Sequence, residues 1–336
     1  MNKNTIQIQR TTSVNWHGKP YYSLDAYCKN TYGEKLYKVA LNAGLSCPNR
    51  DGTLGKGGCI FCSAGGSGDF AAPIESMDSS SGNISERLEE AFRISQNALS
   101  GKKTGSRFIA YFQAYTNTYG PVPYLEKIYR AALSMPSAAG ISIATRPDCL
   151  PRPVMELLIR LKKEYPDKFI WVELGLQTIH QPTASLIRRG YSLPCFDEGL
   201  CRLEQGDIPV IVHMILGLPG EDLSHMLASM DYLNTKNVQG VKLQLLHILK
   251  GTDLGTMWKK TPSGCGSFAS PEEYLDTLIA CLERLRPGIV IHRVTGDAPK
   301  SLLLFPLWSA DKRFVLNSLH QEMKKRGSFQ GKHFAG

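Results

Sequence analysis

Six apolar runs with β-branched or aromatic content recur along the chain, at 36–41, 107–112, 140–144, 169–174, 209–216 and 241–246. Each reads as a strand. Helical patterns lie between them, at 85–99, 123–133, 153–164, 183–188, 195–205 and 222–233. In 153–164, for instance, Val154, Leu157, Leu158 and Leu161 fall on one face. Strands alternating with helices imply a parallel sheet with the helices outside it. Six such units fall short of the eight that close a barrel. The expected fold is therefore α/β, a partial (β/α)6 barrel over 36–250, with ligands at the C-terminal ends of the strands. Residues 1–35 form an N-terminal extension and 251–336 a C-terminal α/β extension.

The alternation loosens after the sixth run. The segment 249–270, rich in Gly, Thr and Ser, reads as a loop, 271–285 as a helix opened by Pro, and 289–294 as a further strand. A basic amphipathic helix follows at 311–326, then a mobile tail at 327–336. Lysine and arginine exceed aspartate and glutamate by 39 − 30 = 9, and 300–336 carries seven basic residues against two acidic, or +5 of that +9. Such an excess suits a polyanionic partner; it also suits a solvated helix face. No apolar run is long enough to span a membrane, and the polar N-terminus lacks the apolar stretch of a secretory signal. A cytoplasmic location is expected. There the nine cysteines are candidates for metal binding or catalysis rather than disulfides.

Three of them share one segment, Cys47-Pro-Asn-Arg-Asp-Gly-Thr-Leu-Gly-Lys-Gly-Gly-Cys59-Ile-Phe-Cys62, just after the first strand. Three thiolates suit zinc or an iron–sulfur cluster. Gly52, Gly55, Gly57 and Gly58 let the loop fold tightly around a bulky object. A structural zinc site takes four ligands, and Cys28, 19 residues upstream, is the nearest candidate for a fourth. A cluster on three cysteines leaves one iron open to a ligand. Cys149, Cys195, Cys201 and Cys281 read as buried small hydrophobes, and Cys28 and Cys265 as loop residues.

This segment resembles the cluster loop of the radical S-adenosylmethionine (SAM) superfamily. CPNRDG, GGCIFC and the long first gap resemble its YhcC/YtqA-like subgroup, related to the radical SAM domain of the Elongator catalytic subunit. YFQAYTNTYGP at 111–121, ELGLQT at 173–178, RRGY at 188–191, GLPGE at 217–221 and RVTGDAP at 293–299 continue the likeness over nearly the whole chain. The resemblance implies a radical SAM barrel with a [4Fe–4S] cluster on Cys47, Cys59 and Cys62. It also implies SAM as a second cofactor, cleaved to a 5′-deoxyadenosyl radical, and an electron donor such as flavodoxin or ferredoxin. It assigns Phe61 to the adenine, Gln113 to the methionyl end, Gln177 and Arg189 to the ribose and carboxylate, and Gly217 to a turn beside the adenine. Tyr191 stands where related enzymes have His, and Ala144 where they often have an acid. His213 and His247, in apolar strands, are candidates for the substrate site or for satisfied core residues.

Two functions follow from the resemblance. One is tRNA modification at the wobble uridine, turning a carboxymethylaminomethyl side chain into aminomethyl. Arg313, Lys324, Lys325 and Arg326, with Gln330-Gly331-Lys332, would then meet phosphates. The alternative is a radical enzyme acting on a small molecule or peptide. A cluster protein without turnover is a third and more distant reading.

Overall fold

The computed structural model describes residues 15–74, 84–99 and 105–335. Residues 1–14 of the expected N-terminal extension lie outside them. In chain order the elements are α1 (Leu24–Tyr32), β1 (Tyr37–Asn42), β2 (Ala72–Pro73), α2 (Ile84–Leu99), β3 (Phe108–Phe112), α3 (Val122–Ser134), β4 (Ala138–Thr145) and α4 (Arg152–Glu164). Then come β5 (Phe169–Gln177), α5 (Gln181–Leu186), α6 (Leu193–Gln205), β6 (Val210–Leu216), α7 (Leu223–Asn234), β7 (Gly240–Leu245) and β8 (Ile248–Leu249). The chain ends through α8 (Asp253–Lys260), α9 (Pro271–Arg284), β9 (Val290–Arg293), β10 (Leu303–Phe305) and α10 (Lys312–Lys325).

One eight-stranded sheet runs β2-β1-β3-β4-β5-β6-β7-β9, every neighbouring pair parallel. From β1 onward the order follows the chain, with the two-residue β2 added outside β1, so the sheet curls in one direction instead of winding both ways from a central switch point. All six expected strands are present, and β2 and β9 extend the arc at its two edges. Among the described residues no helix is long and apolar enough to cross a membrane.

The strand period of two sorts the barrel interior into layers. At the bottom, Ile109, Trp171 and Ile211 pack against Leu36 and against Cys28 of α1. The α1 helix is capped by Ser23, whose side chain accepts from Ala26 N, and it plugs the barrel's N-terminal end. Two residues further along the same strands stand Tyr111, Glu173 and His213, and above them Gln113, Gly175 and Ile215. A polar ring thus lies between an apolar plug and an open cavity.

Three expectations need correction. The segment 249–270 contains α8, started by Thr252, whose hydroxyl accepts from Gly255 N. Cys28 sits inside α1 and is fully buried, not in a loop. The tail is docked. Gln330 is 0% exposed; its carboxamide accepts from Tyr22 N at 3.0 Å and donates to Arg286 O and Ile289 O at 2.9 and 2.8 Å. One amide therefore ties the C-terminus to both α1's approach and β9. Helix α10 buries Val315, Leu319 and Met323, spaced four apart on one face, in the same core as Tyr274, Leu278 and Leu282 of α9.

Replacing Gln330 with Ala leaves one buried N–H and two carbonyls unpaired. It should lower unfolding free energy by about 2–4 kcal/mol, read from urea denaturation.

Candidate active site

The loop after β1 is closed by its own side chains. Arg50 N donates to Cys47 O at 2.7 Å, and Cys62 N to Cys59 O at 3.0 Å, forming a turn at each end. The Arg50 guanidinium donates across the long gap to Cys62 O at 2.9 Å and to Ser63 O. Gly52, Gly57 and Gly58 have φ of 96°, 86° and 81°, the left-handed region that glycine enters without strain. A Cβ on Gly58 would stand 2.8 Å from Arg50 Nε. Asn49 donates to Arg188 O at 2.8 Å and Arg189 O at 3.0 Å, and its amide nitrogen lies 3.6 Å from Cys59 Sγ.

Cys47, Cys59 and Cys62 line one cavity of about 770 Å³ at the barrel mouth. Among the described residues no three Cys, His, Asp or Glu side chains converge on a single metal ion. Three thiols lining one chamber are the ligand set that a [4Fe–4S] cluster with one open iron would take. Burial, then the neighbouring Cys62, pushes the Cys59 thiol up to about 11. Only a cationic partner would hold it as thiolate near neutral pH. Of the other six cysteines, Cys28, Cys149, Cys265 and Cys281 are buried. Burial lifts the thiols of Cys28 and Cys281 to about 12. Cys195 is only half-buried and Cys201 is exposed, both on α6, which corrects their reading as core residues.

Phe61, Gln113, Gln177, Ala144 and Arg189 line the same cavity. Gln113 donates to Ser67 O of the cysteine loop. Gln177, at φ 62°, has its Oε1 2.9 Å from the Tyr191 hydroxyl. Arg189 is 1% exposed, and its guanidinium meets backbone carbonyls: Tyr191 O from Nε and Nη2, and Leu176 O and Thr178 O from Nη1. Four of its five N–H groups are thus engaged. Arg189 clips the end of β5 against the 188–192 turn while lining the cavity with one N–H unused. Arg146 and Arg189 stack on the Tyr191 ring at 4.8 and 4.7 Å. Gly217 is not among the lining residues. Its carbonyl accepts from Ser267 N at 2.6 Å, and Phe268 covers its Cα, so a Cβ would meet that ring at 2.7 Å. The 262–270 segment packs against this turn.

Below the cysteines the cavity reaches the polar ring. Glu173 is 0% exposed, and both its oxygens are bonded. Lys38 and the Ser142 hydroxyl meet Oε1, the latter at 2.6 Å; Lys242 and His213 Nε2 meet Oε2, the latter at 2.6 Å. Lys242 also donates to the Tyr111 hydroxyl at 2.9 Å. Lys242 and Lys38, despite the cost of burial, hold the Glu173 carboxylate well below the usual range. Burial and the Lys242 charge lower His213 to about 4, and burial lowers His247 to about 4. Both imidazoles are therefore neutral at pH 7. His247 also lines the cavity, and its buried Nε2 has no protein partner. Sequence reasoning missed Lys38, Tyr111, Glu173 and Lys242. Their signal was present as charged residues in one phase of otherwise apolar strands.

The basic C-terminal helix is partly neutralised. Arg326 pairs with Asp276 at 2.5 Å and Glu322 at 2.8 Å, and Lys325 Nζ lies 3.7 Å from Glu322. Lys332 Nζ lies 3.7 Å from Glu283, and Gln330 is buried, so neither matches a free phosphate-binding tail. Arg313 and Lys324 are exposed and have no ion pair among the described residues.

Replacing Cys47, Cys59 or Cys62 with Ala should abolish bound iron and sulfide, read by metal analysis and visible absorbance, whereas Cys149→Ala and Cys281→Ala should retain them. The histidines generate a second prediction. Their folded pKa values near 4 lie below the ordinary value of about 6.5, so the unfolded chain binds protons that the folded chain refuses. Stability should fall as pH drops from about 6.5 toward 4. His247→Gln should flatten that slope by about one proton in urea titrations at stepped pH.

Two family models match the chain: the radical SAM superfamily over residues 47–233 and the radical SAM C-terminal domain over 238–325. The chain is 42% identical over 316 residues to YtqA of Bacillus subtilis, covering 94% of this chain and 93% of that one. It is 34% identical to YhcC of Escherichia coli K12, covering 88% of this chain and 90% of that one. The archaeal Elp3 of Methanocaldococcus infernus, with an N-terminal deletion, shares the fold at a TM-score of 0.58 and 15% identity, over 88% of this chain and 64% of that structure. With the family model spanning more than half its length and relatives aligned almost end to end, this chain belongs to the radical SAM superfamily, whose cofactors are a [4Fe–4S] cluster and S-adenosylmethionine.

Proposed function

We propose that the chain is a tRNA-modifying radical SAM enzyme whose cluster is held by Cys47, Cys59 and Cys62. Its substrate is a wobble uridine carrying a carboxymethylaminomethyl group, and its product is the aminomethyl nucleoside. The observation that carries the reading is the relation of cavity to helix. Ala310 lines the cavity and α10 begins two residues later, so a helix bearing unpaired cations starts at the mouth. Arg313 and Lys324 are eleven residues apart, which returns them to one face of α10 about 16 Å along it. A polyanion lying on that face would have its base within reach of the chamber. The likeness to the radical SAM domain of Elongator, which acts on wobble uridine, supports the same substrate class.

The reaction removes a hydrogen atom and then one electron from the glycyl CH2, leaving a C=N bond. Water adds to it, the C–N bond breaks, and glyoxylate leaves while nitrogen stays on the uridine as an amine. When bound, the cluster and SAM supply the acceptors for the hydrogen atom and the electron, and flavodoxin or ferredoxin the reducing electron for SAM cleavage. The chain's part is positional. Phe61, Gln113 and Gln177 wall the upper chamber and the α1 plug seals its base.

Nucleoside mass spectrometry of tRNA from cells lacking the protein should show carboxymethylaminomethyluridine accumulating and aminomethyl derivatives lost. Unchanged wobble nucleosides would defeat the reading. In vitro, the Arg313→Glu/Lys324→Glu double variant should bind tRNA more weakly, with a salt slope shallower by about two. Uncoupled SAM cleavage should be unchanged.

A further inference from the structure

The interior of a strand–helix barrel is ordinarily filled by branched aliphatic side chains. Here the layer above the α1 plug holds Lys38, Tyr111, Ser142, Glu173, His213 and Lys242 instead. Burying charge is unfavourable unless it is matched. The negative side is one carboxylate, Glu173. The positive side is two lysines, each in contact with it. His213 adds no counter-charge, being neutral. The nearby Arg293 has its own partner, Asp297, with Nη2 to Oδ2 at 3.7 Å. Asp297 is shared in turn with Lys312, at 2.7 Å. Burial lowers the Lys38 pKa and holds that of Lys242 well below the ordinary lysine value, against the pull of Glu173, so a second carboxylate at the ring would favour the ammonium form of both.

Both lysines line the cavity and keep unused donors. Lys242 bonds Glu173 and the Tyr111 hydroxyl, leaving one of its three N–H groups. Lys38 bonds only Glu173, leaving two, and keeps 15% of its side chain exposed although it lines the cavity floor. Below the ring lies the apolar plug, so an incoming group can arrive only from the cavity. A compact carboxylate meeting these free donors would share the two lysines with Glu173.

We infer that Lys38 and Lys242 form a carboxylate-recognition floor, which binds the carboxylate of the substrate side chain and thereby presents its adjacent CH2 upward, on the side of the cysteines. Glu173 acts as a positioning residue: it holds the two lysine side chains together and leaves some of their donors unused. The inference deepens the proposed function and rests on it for the nature of the whole substrate. It is a statement about the floor of the chamber, and it selects against uridines whose side chain lacks a carboxylate.

The test is calorimetric binding of N-methylglycine, which carries the same carboxymethylamino group, to cluster-loaded protein saturated with SAM. N-ethylmethylamine, lacking the carboxylate, is the control. N-methylglycine should bind and the control should not. Lys38→Met, at the partly exposed position, should weaken binding about ten-fold or more. Glu173→Gln should shift it in the opposite direction, because the bound carboxylate no longer competes with a resident one. A merely structural role for Glu173 predicts loss in both variants, and that result would overturn the inference. So would equal binding of the control amine, or competition between N-methylglycine and SAM for one site. Retention of cluster absorbance and of cooperative unfolding verifies that each variant is folded. If Glu173→Gln fails that check, Lys38→Met with unaltered affinity is sufficient to reject the floor. If wild-type protein binds N-methylglycine with this dependence on Lys38 but leaves tRNA unprocessed, the floor stands and the tRNA reading falls.

Discussion

Glu173 is the point on which the barrel turns. Its carboxylate, on the central strand β5, gathers Lys38 from β1, Ser142 from β4, His213 from β6 and Lys242 from β7. In the order of the sheet β1 and β7 are five strands apart. In a flat sheet about 4.8 Å per strand would separate them by about 24 Å, beyond the joint reach of two lysines and a glutamate. They meet because the sheet curls, and their meeting in turn favours the curl. Removing either partner of a buried ion pair typically costs about 3–5 kcal/mol, whereas apolar residues of equal volume often serve as well or better for stability. The ring is therefore poorly explained as a fold device alone. An aliphatic layer would have closed the barrel without burying a charge.

The architecture was largely legible because strand and helix periods are local. Leu36–Leu41 and Val241–Leu246 announce themselves by composition, and 153–164 by its apolar stripe. The chemistry inside the barrel was harder to read for the same reason. Lys38 and Lys242 look like interruptions of apolar runs, and Glu173 like a stray acid in FIWVELGLQ. Read in steps of two, Ile109–Tyr111–Gln113, Trp171–Glu173–Gly175 and Ile211–His213–Ile215 share one inward phase, and that phase turns polar at its second member. What no local pattern carries is the pairing across the chain. Arg326 looked free until Asp276, fifty residues upstream, was brought against it. The tail looked mobile because its Gly, Ser and Lys content says nothing of a single buried amide at Gln330.

The cysteine loop was legible as a metal site from spacing alone, but the means of closing an eleven-residue gap was not. Arg50 and Asn49, adjacent in sequence, work in opposite directions. Arg50 reaches forward to Cys62 O and Ser63 O, and Asn49 reaches across to the 188–189 backbone. The same 188–192 turn is clipped to β5 by Arg189, and its Tyr191 ring packs against the Arg146 and Arg189 guanidinium groups. The loop's position over the barrel mouth is thus set by backbone carbonyls and one aromatic ring. That is why Arg189, though it lines the cavity, acts on the site through the turn. Most of its donors are fixed before any ligand arrives.

The vertical order of the chamber then gives its two ends different tasks. A reactive radical needs a dry enclosure, and a dry enclosure strengthens every charge interaction within it. The apolar plug of α1, Trp171 and Ile211 keeps water from the underside of the ring, so an anion reaching Lys38 and Lys242 from the cavity would be weakly screened. The Tyr111 ring lies 4.9 Å from Lys38 Nζ and 4.3 Å from Lys242 Nζ, stabilising both ammonium groups through its π face without neutralising either. The cysteines at the mouth and the ammonium groups at the floor are held by separate scaffolds: backbone carbonyls above, one carboxylate below. Substitution at the floor should therefore leave the upper scaffold intact, and a substrate held by a charge at one end is aligned along the chamber axis before any bond is broken.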